Sequence, residues 1–191
     1  MYTIVGLGNP GKEYEFTRHN AGMLAVRGFQ KKMGLPDFVT SSKFGGEVSE
    51  GIVEGNEVRL FIPGTFMNTS GKVVTKVCDS RDKLLVISDE LDLPIGTFKI
   101  SYGSSAGGHN GVQSVIDALG TKEFTRIRVG VSPVSFFGAM KKPSRDRVAD
   151  FVLKEFSRNE LKKLESQYES IIDAIRMIVT EGKERAMNQF N

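Results

Sequence analysis

Leu84-Leu85-Val86-Ile87 is an unbroken apolar run followed at once by Ser88-Asp89-Glu90-Leu91-Asp92. A run of this length without polar alternation belongs to a strand buried on both faces. A strand covered on both sides needs helices above and below it, which confines the chain to an α/β architecture. The rest of the sequence alternates accordingly. Tyr2 to Leu7 is a short apolar strand ending in the turn Gly6-Leu7-Gly8-Asn9-Pro10-Gly11. Ala21, Leu24, Ala25, Gly28 and Phe29 share one helical face, and Gly34-Leu35-Pro36 stops that helix.

Further along, 44–53 and 57–62 form paired strands joined through Gly55-Asn56, and Ser70 to Val77 is a helix burying Val73, Val74 and Val77. Thr97 to Tyr102 is a strand, and Val112, Val115, Ile116 and Leu119 give a helix stripe. Arg126 to Val131 alternates as another strand. The segment 133–147 is a loop carrying Phe136, Phe137, Gly138 and a basic cluster, and from Ser157 onward the spacing of Leu161, Leu164, Tyr168, Ile171 and Ile175 is helical. The expected fold is a single α/β domain over residues 1–191, with a twisted mixed β-sheet flanked by helices and a helical C-terminus.

No apolar stretch approaches the roughly 18 residues of a membrane span, and the opening residues lack the charged region of a signal peptide. The one cysteine, Cys78, excludes an internal disulfide, so a reducing cytoplasm is the expected location. A net charge of +3 permits nucleic-acid binding without requiring it.

Ligands of open α/β sheets bind beyond the carboxyl ends of strands. Asn9, Asn68 and Asp89 each follow a predicted strand, His109-Asn110 sits at a helix start, and His19 precedes the first long helix. The chain has two histidines, and each is followed by asparagine in a glycine-bearing turn. Histidine moves protons near neutral pH, while asparagine offers fixed donors and acceptors without titrating. That pairing suits chemistry at an ester or amide carbonyl and suits a metal poorly.

Each feature has a structural reading beside the chemical one. His19 can be a packed, satisfied side chain, and Asn20 is read as a helix N-cap. Asp89 can orient a histidine or cap backbone, with Glu90 and Asp92 as competitors. Asn68 and Asn110 can be turn residues; Phe66 and Met67 can belong to the core. Cys78 is read as a buried structural thiol. Gly6-x-Gly8-x-x-Gly11 has the form of a dinucleotide fingerprint, but Gln30-Lys31-Lys32 stand where its acidic residue belongs. Arg126 and Arg128 share one strand face, with Lys99 on a neighbouring strand, and like charges so placed imply an anionic partner. The loop Lys141-Lys142-Pro143-Ser144-Arg145-Asp146-Arg147 is a solvated segment, or a phosphate clamp if it adjoins the pocket.

Four stretches together resemble bacterial-type peptidyl-tRNA hydrolases: Val5 to Gly11 with Tyr14 and Thr17-Arg18-His19-Asn20-Ala21-Gly22, Pro63 to Gly71, Ser88 to Gly96, and Gly107-Gly108-His109-Asn110-Gly111. Phe151-Val152-Leu153 before Phe156 fits a further family stretch. The resemblance implies hydrolysis of the ester that joins a peptide to the terminal ribose of its tRNA. It implies His19 as catalytic base and Asp89 as the group stabilising its proton-accepting form. Asn9 would discriminate N-blocked peptidyl groups, and Asn68 and Asn110 would hold substrate and attacking water. Tyr14, Phe66 and Met67 would line the site near the tRNA end. His109 belongs with these substrate-binding residues, and Lys99 and Arg128 would meet the phosphates of the acceptor end and backbone. No metal and no organic cofactor are implied, and family members are typically monomers.

The sequence departs from the family pattern at Ser88, at Ser101, in Tyr102-Gly103-Ser104-Ser105-Ala106 and in a longer loop over 133–147, all of which bear on tRNA docking. A binding-only relative, of the kind represented by plant plastid splicing factors, and a nicotinamide-dependent enzyme are the two rival expectations.

Overall fold

The buried run at residues 84–87 lies in the third of four adjacent parallel strands, and the rest of the sheet grows outward from them. In the computed structural model, which describes residues 1–135 and 140–191, seven strands pair in the order β2-β3-β4-β1-β5-β7-β6. The strands are β1 (Tyr2–Gly6), β2 (Val39–Ser41), β3 (Gly46–Val53), β4 (Asn56–Pro63), β5 (Leu84–Pro94), β6 (Phe98–Tyr102) and β7 (Thr125–Ser132). Parallel pairing joins β4 to β1, β1 to β5 and β5 to β7, while β2, β3 and β6 run antiparallel to their neighbours. The helices are α1 (Ala21–Lys32), α2 (Gly71–Val77), α3 (Asn110–Leu119), α4 (Val148–Val152), α5 (Arg158–Glu181) and α6 (Lys183–Phe190). Phe136, Phe137 and Gly138 of the expected loop lie outside the described residues. Among the described residues no helix is long and apolar enough to cross a membrane.

Strand alternation divides the core in two. Ile4, Leu60, Leu85, Ile87 and Ile127 meet Val26 and Phe29 of α1 and Ile171 and Ile175 of α5. Val5, Phe61 and Val86 meet Val74 and Val77 of α2 and Val112 and Val115 of α3. Both faces of the central strands are therefore dry, which accounts for their lack of polar residues.

Three local readings change. Val53 pairs directly with Asn56, so the hairpin turn is Glu54-Gly55, with positive φ at both residues, and not Gly55-Asn56. The C-terminal helix is interrupted at Gly182, whose φ of 92° ends α5 and starts α6. The most consequential change concerns β5, which continues through the polar residues after Ile87. Ser88, Asp89 and Glu90 pair with Arg128, Val129 and Gly130 of β7, and the ladder breaks register only between Glu90 and Pro94. Asp89 is thus held by strand pairing, on the same side of the sheet as Leu85 and Ile87, where α1 packs.

Alpha-1 approaches the sheet closely enough that side chains are excluded from the contact. A Cβ on Gly22 would lie 2.1 Å from the carbonyl oxygen of Ile87, and one on Gly6 would lie 2.6 Å from that of Gly22. Close packing against α1 at Gly6 and at Gly8, whose Cβ would meet the Met23 side chain at 2.9 Å, and a positive φ at Gly11 account for the glycines of the first turn. The helix begins at Ala21 and not at Gly11, so the turn does not run directly into a helix as a dinucleotide fingerprint requires.

Candidate active site

The turn that carries His19 is anchored from the opposite end of the chain. Arg18, buried, donates from Nη1 to the carbonyls of Lys154 and Glu155 at 3.1 and 3.0 Å and from Nη2 to Glu160 at 2.9 Å. Its guanidinium lies 4.6 Å from the ring centre of Phe151 and 5.5 Å from that of Phe156. Glu160 also closes the capping box of α5 with Ser157. The Phe151 to Phe156 stretch therefore acts as the seat of the His19 turn.

His19 Nδ1 and His109 Nε2 each lie 2.8 Å from one oxygen, Oδ1 of Asp89. The protonation pattern follows from the surroundings. His109 Nδ1 accepts the amides of Gly111 and Val112 at 3.1 and 3.2 Å, so the His109 proton sits on Nε2 and is donated to Asp89. The His19 proton sits on Nδ1 by the same reasoning, because an ionised carboxylate only accepts. His19 Nε2 is left as an unshared base, without a partner among the described residues, and the residue lines a cleft of about 570 Å³. Asn110, Glu90, Leu91 and Arg145 line the same cleft, and Val148, Ala149 and Val152 of α4 give it an apolar wall.

Burial by itself would raise the pKa of Asp89, but His19 and His109 outweigh it and hold the carboxyl well below the usual range. Burial likewise lowers that of His19, and the Asp89 charge and hydrogen bond outweigh it, so the net shift is upward. The ligand atoms of His19, Asp89 and His109 lie within 4.8 Å of one another, close enough to suggest a metal. The donor set does not fit one: the Nδ1 lone pair of His109 is occupied by two amides, which leaves its Nε2 an N–H and not a ligand.

Asn9 is held by a separate network. Its backbone exchanges hydrogen bonds with the side chain of Asn20 at 2.8 and 3.0 Å, and its Oδ1 accepts the Met67 amide at 2.8 Å. Asn20 stands at the N-cap position of α1 but makes no capping bond, contrary to its reading as a cap. Its amide fixes Asn9, whose Nδ2 then points away with no partner among the described residues. Asn68 is exposed in the turn Met67–Thr69. The Met67 side chain is buried, and a Cβ on Gly111 would meet its sulfur at 2.3 Å, so Met67 locks the second motif against the fourth instead of facing solvent. Tyr14 meets the exposed Phe66 edge to face, with centroids 6.4 Å apart. Asn9 lies on a second groove, of about 620 Å³, against α1. That groove is larger, but it holds neither histidine, and Arg27 and Glu47 pair across it at 2.9 Å; His19, Asp89, His109 and Asn110 line the smaller cleft.

On the outer strands, Lys99 pairs in register with Arg128 and Ser101 with Arg126, so Lys99, Arg126 and Arg128 share a face. They are not equivalent. Arg126 is buried and donates to the Ser105 carbonyl at 2.7 Å, and burial lowers its pKa. Arg128 forks onto Glu90 Oε2 at 2.8 Å, and Lys99 is exposed. In the basic loop Lys142 pairs with Asp92 at 2.6 Å, whereas Arg145 reaches the cleft. Glu90 and Asp92 thus have cationic partners of their own, and Asp89 alone of the three carries the histidines. Cys78, half-buried at the end of α2, has its thiol pushed up by burial.

A sequence profile of peptidyl-tRNA hydrolases matches residues 3–191. The chain belongs to the peptidyl-tRNA hydrolase family. A family member from Brevibacillus brevis is 44% identical, with 100% of this chain and 98% of that protein aligned. One from Syntrophotalea carbinolica is 37% identical over 100% and 97% of the two chains. The crystal structure of the peptidyl-tRNA hydrolase from Acinetobacter baumannii superposes with a TM-score of 0.90 at 33% identity, covering 100% of this chain and 94% of that one. A peptidyl-tRNA hydrolase crystallised with n-propanol gives 0.89 at the same 33% identity and the same coverage.

Sequence reasoning missed the roles of Arg18, Asn20 and the α4 wall. Asn20 had a visible signal, because it forms one of the two His-Asn doublets. Arg18 had none, since its partners lie beyond residue 150.

Proposed function

We propose that His19 is the general base for hydrolysis of peptidyl-tRNA, with Asp89 holding its reactive tautomer. The overall reaction follows from the family: the chain is a carboxylic ester hydrolase that cleaves the ester between a peptide and the terminal ribose of tRNA. The observation that carries the assignment of His19 is the 2.8 Å bond from its Nδ1 to buried Asp89, with Nε2 free on the cleft.

Water attacks the ester carbonyl while His19 Nε2 takes its proton. The imidazolium so formed keeps Nδ1–H on Asp89, whose charge stabilises it. Side-chain amides of Asn9, Asn68 and Asn110 supply neutral donors for the developing oxyanion and for the peptide. Collapse of the tetrahedral intermediate returns the proton from Nε2 to the departing ribose oxygen, releasing free tRNA and a free carboxyl-terminal peptide. Asn9 Nδ2 reads the peptide amide of an N-blocked substrate. Tyr14, Phe66 and Met67 bound the end that receives the tRNA terminus, the first two by their rings and Met67 by its backbone. His109 serves the site from below, through Asp89. No cofactor takes part in this scheme, and the protein acts as a cytoplasmic monomer.

Release of an N-acetylated aminoacyl group from tRNA, with the unblocked ester alongside, tests the function directly. Cleavage of the blocked ester alone is expected. Binding of tRNA without cleavage would make the protein a binding-only relative.

The pH profile tests Asp89. Activity rises as His19 loses its proton, and the upward shift caused by Asp89 moves that limb above the ordinary histidine value. Asp89→Asn removes the anion but leaves the burial, so the acid limb moves to lower pH and kcat falls by about 10- to 100-fold. An unchanged profile would return the role to Glu90 or Asp92.

Lys99 and Arg128 meet tRNA phosphates. Arg128→Ala is expected to weaken tRNA binding and to lower the slope of log affinity against log salt by about 0.7–0.9. An unaltered slope would move the contact elsewhere.

A further inference from the structure

We propose that His109 is a positioning residue that sets the basicity of His19 by sharing its carboxylate partner. The inference rests on the reading of His19 as the base. Both rings bond the same atom, Asp89 Oδ1, at 2.8 Å, although the carboxylate has a second oxygen without a partner among the described residues. Each N–H donor draws electron density from the oxygen it bonds, so the pull of Asp89 on His19 is weaker than that of a carboxylate committed to one imidazole.

His109 is fixed in this role by the helix it begins. Its Nδ1 accepts the amides of Gly111 and Val112, satisfying donors that the first turn of α3 leaves over. With Nδ1 on the helix and Nε2 on Asp89, the ring has no nitrogen left for substrate and cannot turn away without losing three bonds. Its centroid stands 4.9 Å from that of His19. The remaining charges nearby are committed or distant from Oδ1. On β5, Glu90 lines the cleft but its carboxylate is paired with Arg128; on β7, Val129 stands opposite Asp89; from the α4 side, Arg145 lines the cleft. The turn before α1 brings Arg18, which is bound to Glu160. The titration of His19 is therefore governed by Asp89, and among the described residues the side chains that bond Asp89 are the two histidines.

The chain has two histidines, so a variant at position 109 leaves His19 as the single imidazole signal in an NMR titration. His109→Asn keeps a good helix cap but is too short to reach Asp89. The His19 titration is expected to move up by about half a unit to one unit. The acid limb of kcat should move with it, while KM changes by less than about twofold. His109→Gln can place an amide N–H near Oδ1, and its titration is expected to return toward that of the unmodified protein. His109→Ser repeats the experiment if His109→Asn does not fold. An unmoved or lowered His19 titration in a folded variant would overturn the proposal, and a rise in KM with an unmoved titration would place His109 on the substrate instead. The titration needs no substrate. A shifted titration together with full activity in His19→Ala would therefore sink the base assignment and leave the coupling standing.

Discussion

Replacing His19 by alanine is expected to lower kcat by about 10²–10⁴-fold, the usual contribution of a positioned general base. tRNA affinity should stay within about twofold, because the side chain's hydrogen bond goes to Asp89 and the proposed phosphate-binding residues, Lys99 and Arg128, stand on β6 and β7. The fold should survive, since Arg18 still ties the turn to Lys154, Glu155 and Glu160, and Asp89 still has His109. Single-turnover hydrolysis of N-acetyl-aminoacyl-tRNA, a tRNA titration and circular dichroism separate the three quantities. Loss of the folded signal would show that His19 is a packing residue. Loss of affinity with intact chemistry at saturation would make it a substrate ligand.

The second large effect is expected at a residue that touches no substrate. Gly22→Ala would put a methyl group 2.1 Å from the Ile87 carbonyl oxygen and 3.0 Å from the Leu7 nitrogen. Both are backbone atoms of the central sheet and already bond each other at 3.0 Å, so neither can yield cheaply. Alpha-1 must back away by about 1 Å, a form of overpacking that costs about 3 kcal/mol. The better helix propensity of alanine returns about 1 kcal/mol. The net loss of about 2 kcal/mol corresponds to a fall in Tm of about 4–8 °C for a chain of this size. The retreat also draws the His19 turn away from Asp89, so kcat should fall with stability. Gly28→Ala, in the same helix, is the control. Nothing lies within 4 Å of its added Cβ, and a gain of about 1 kcal/mol is expected. Thermal unfolding of the pair decides whether close approach, and not glycine content, governs this helix.

The two substitutions mark different depths of legibility. His19 is visible in the sequence because histidine is rare here and sits with asparagine in a glycine-bearing turn. Gly22 stands in the same motif, yet nothing along the chain says that Ile87, far away in sequence, approaches it. The same division runs through the site. Asp89 is visible as an acidic residue after a buried apolar run, but its place inside β5 depends on β7 offering ladder partners beyond Ile87. A polar residue ends a strand only when no neighbour pairs with it. Asn20 looks like a cap because caps are local; its actual bond, to Asn9, needs the first turn folded back over the start of α1. Arg126 and Arg128 look alike at alternate positions of one strand. Tertiary packing then buries one against Ser105 and leaves the other on Glu90 at the rim.

Periodicity, turn chemistry and the uninterrupted hydrophobicity of residues 84–87 were enough to specify an α/β sheet covered on both faces, because each depends on residues within a few positions of one another. Residue type pointed to chemistry at an ester or amide carbonyl, since it limits what a side chain can donate, accept or titrate, and the resemblance of the motifs to one family named the reaction. Tertiary structure alone decided that both histidines converge on a single oxygen of Asp89, that Arg18 reaches the far end of the chain, and that the Met67 amide bonds Asn9 while its side chain is buried. These are contacts between segments tens of residues apart, and their geometry comes from strand order and helix packing, which no local pattern encodes.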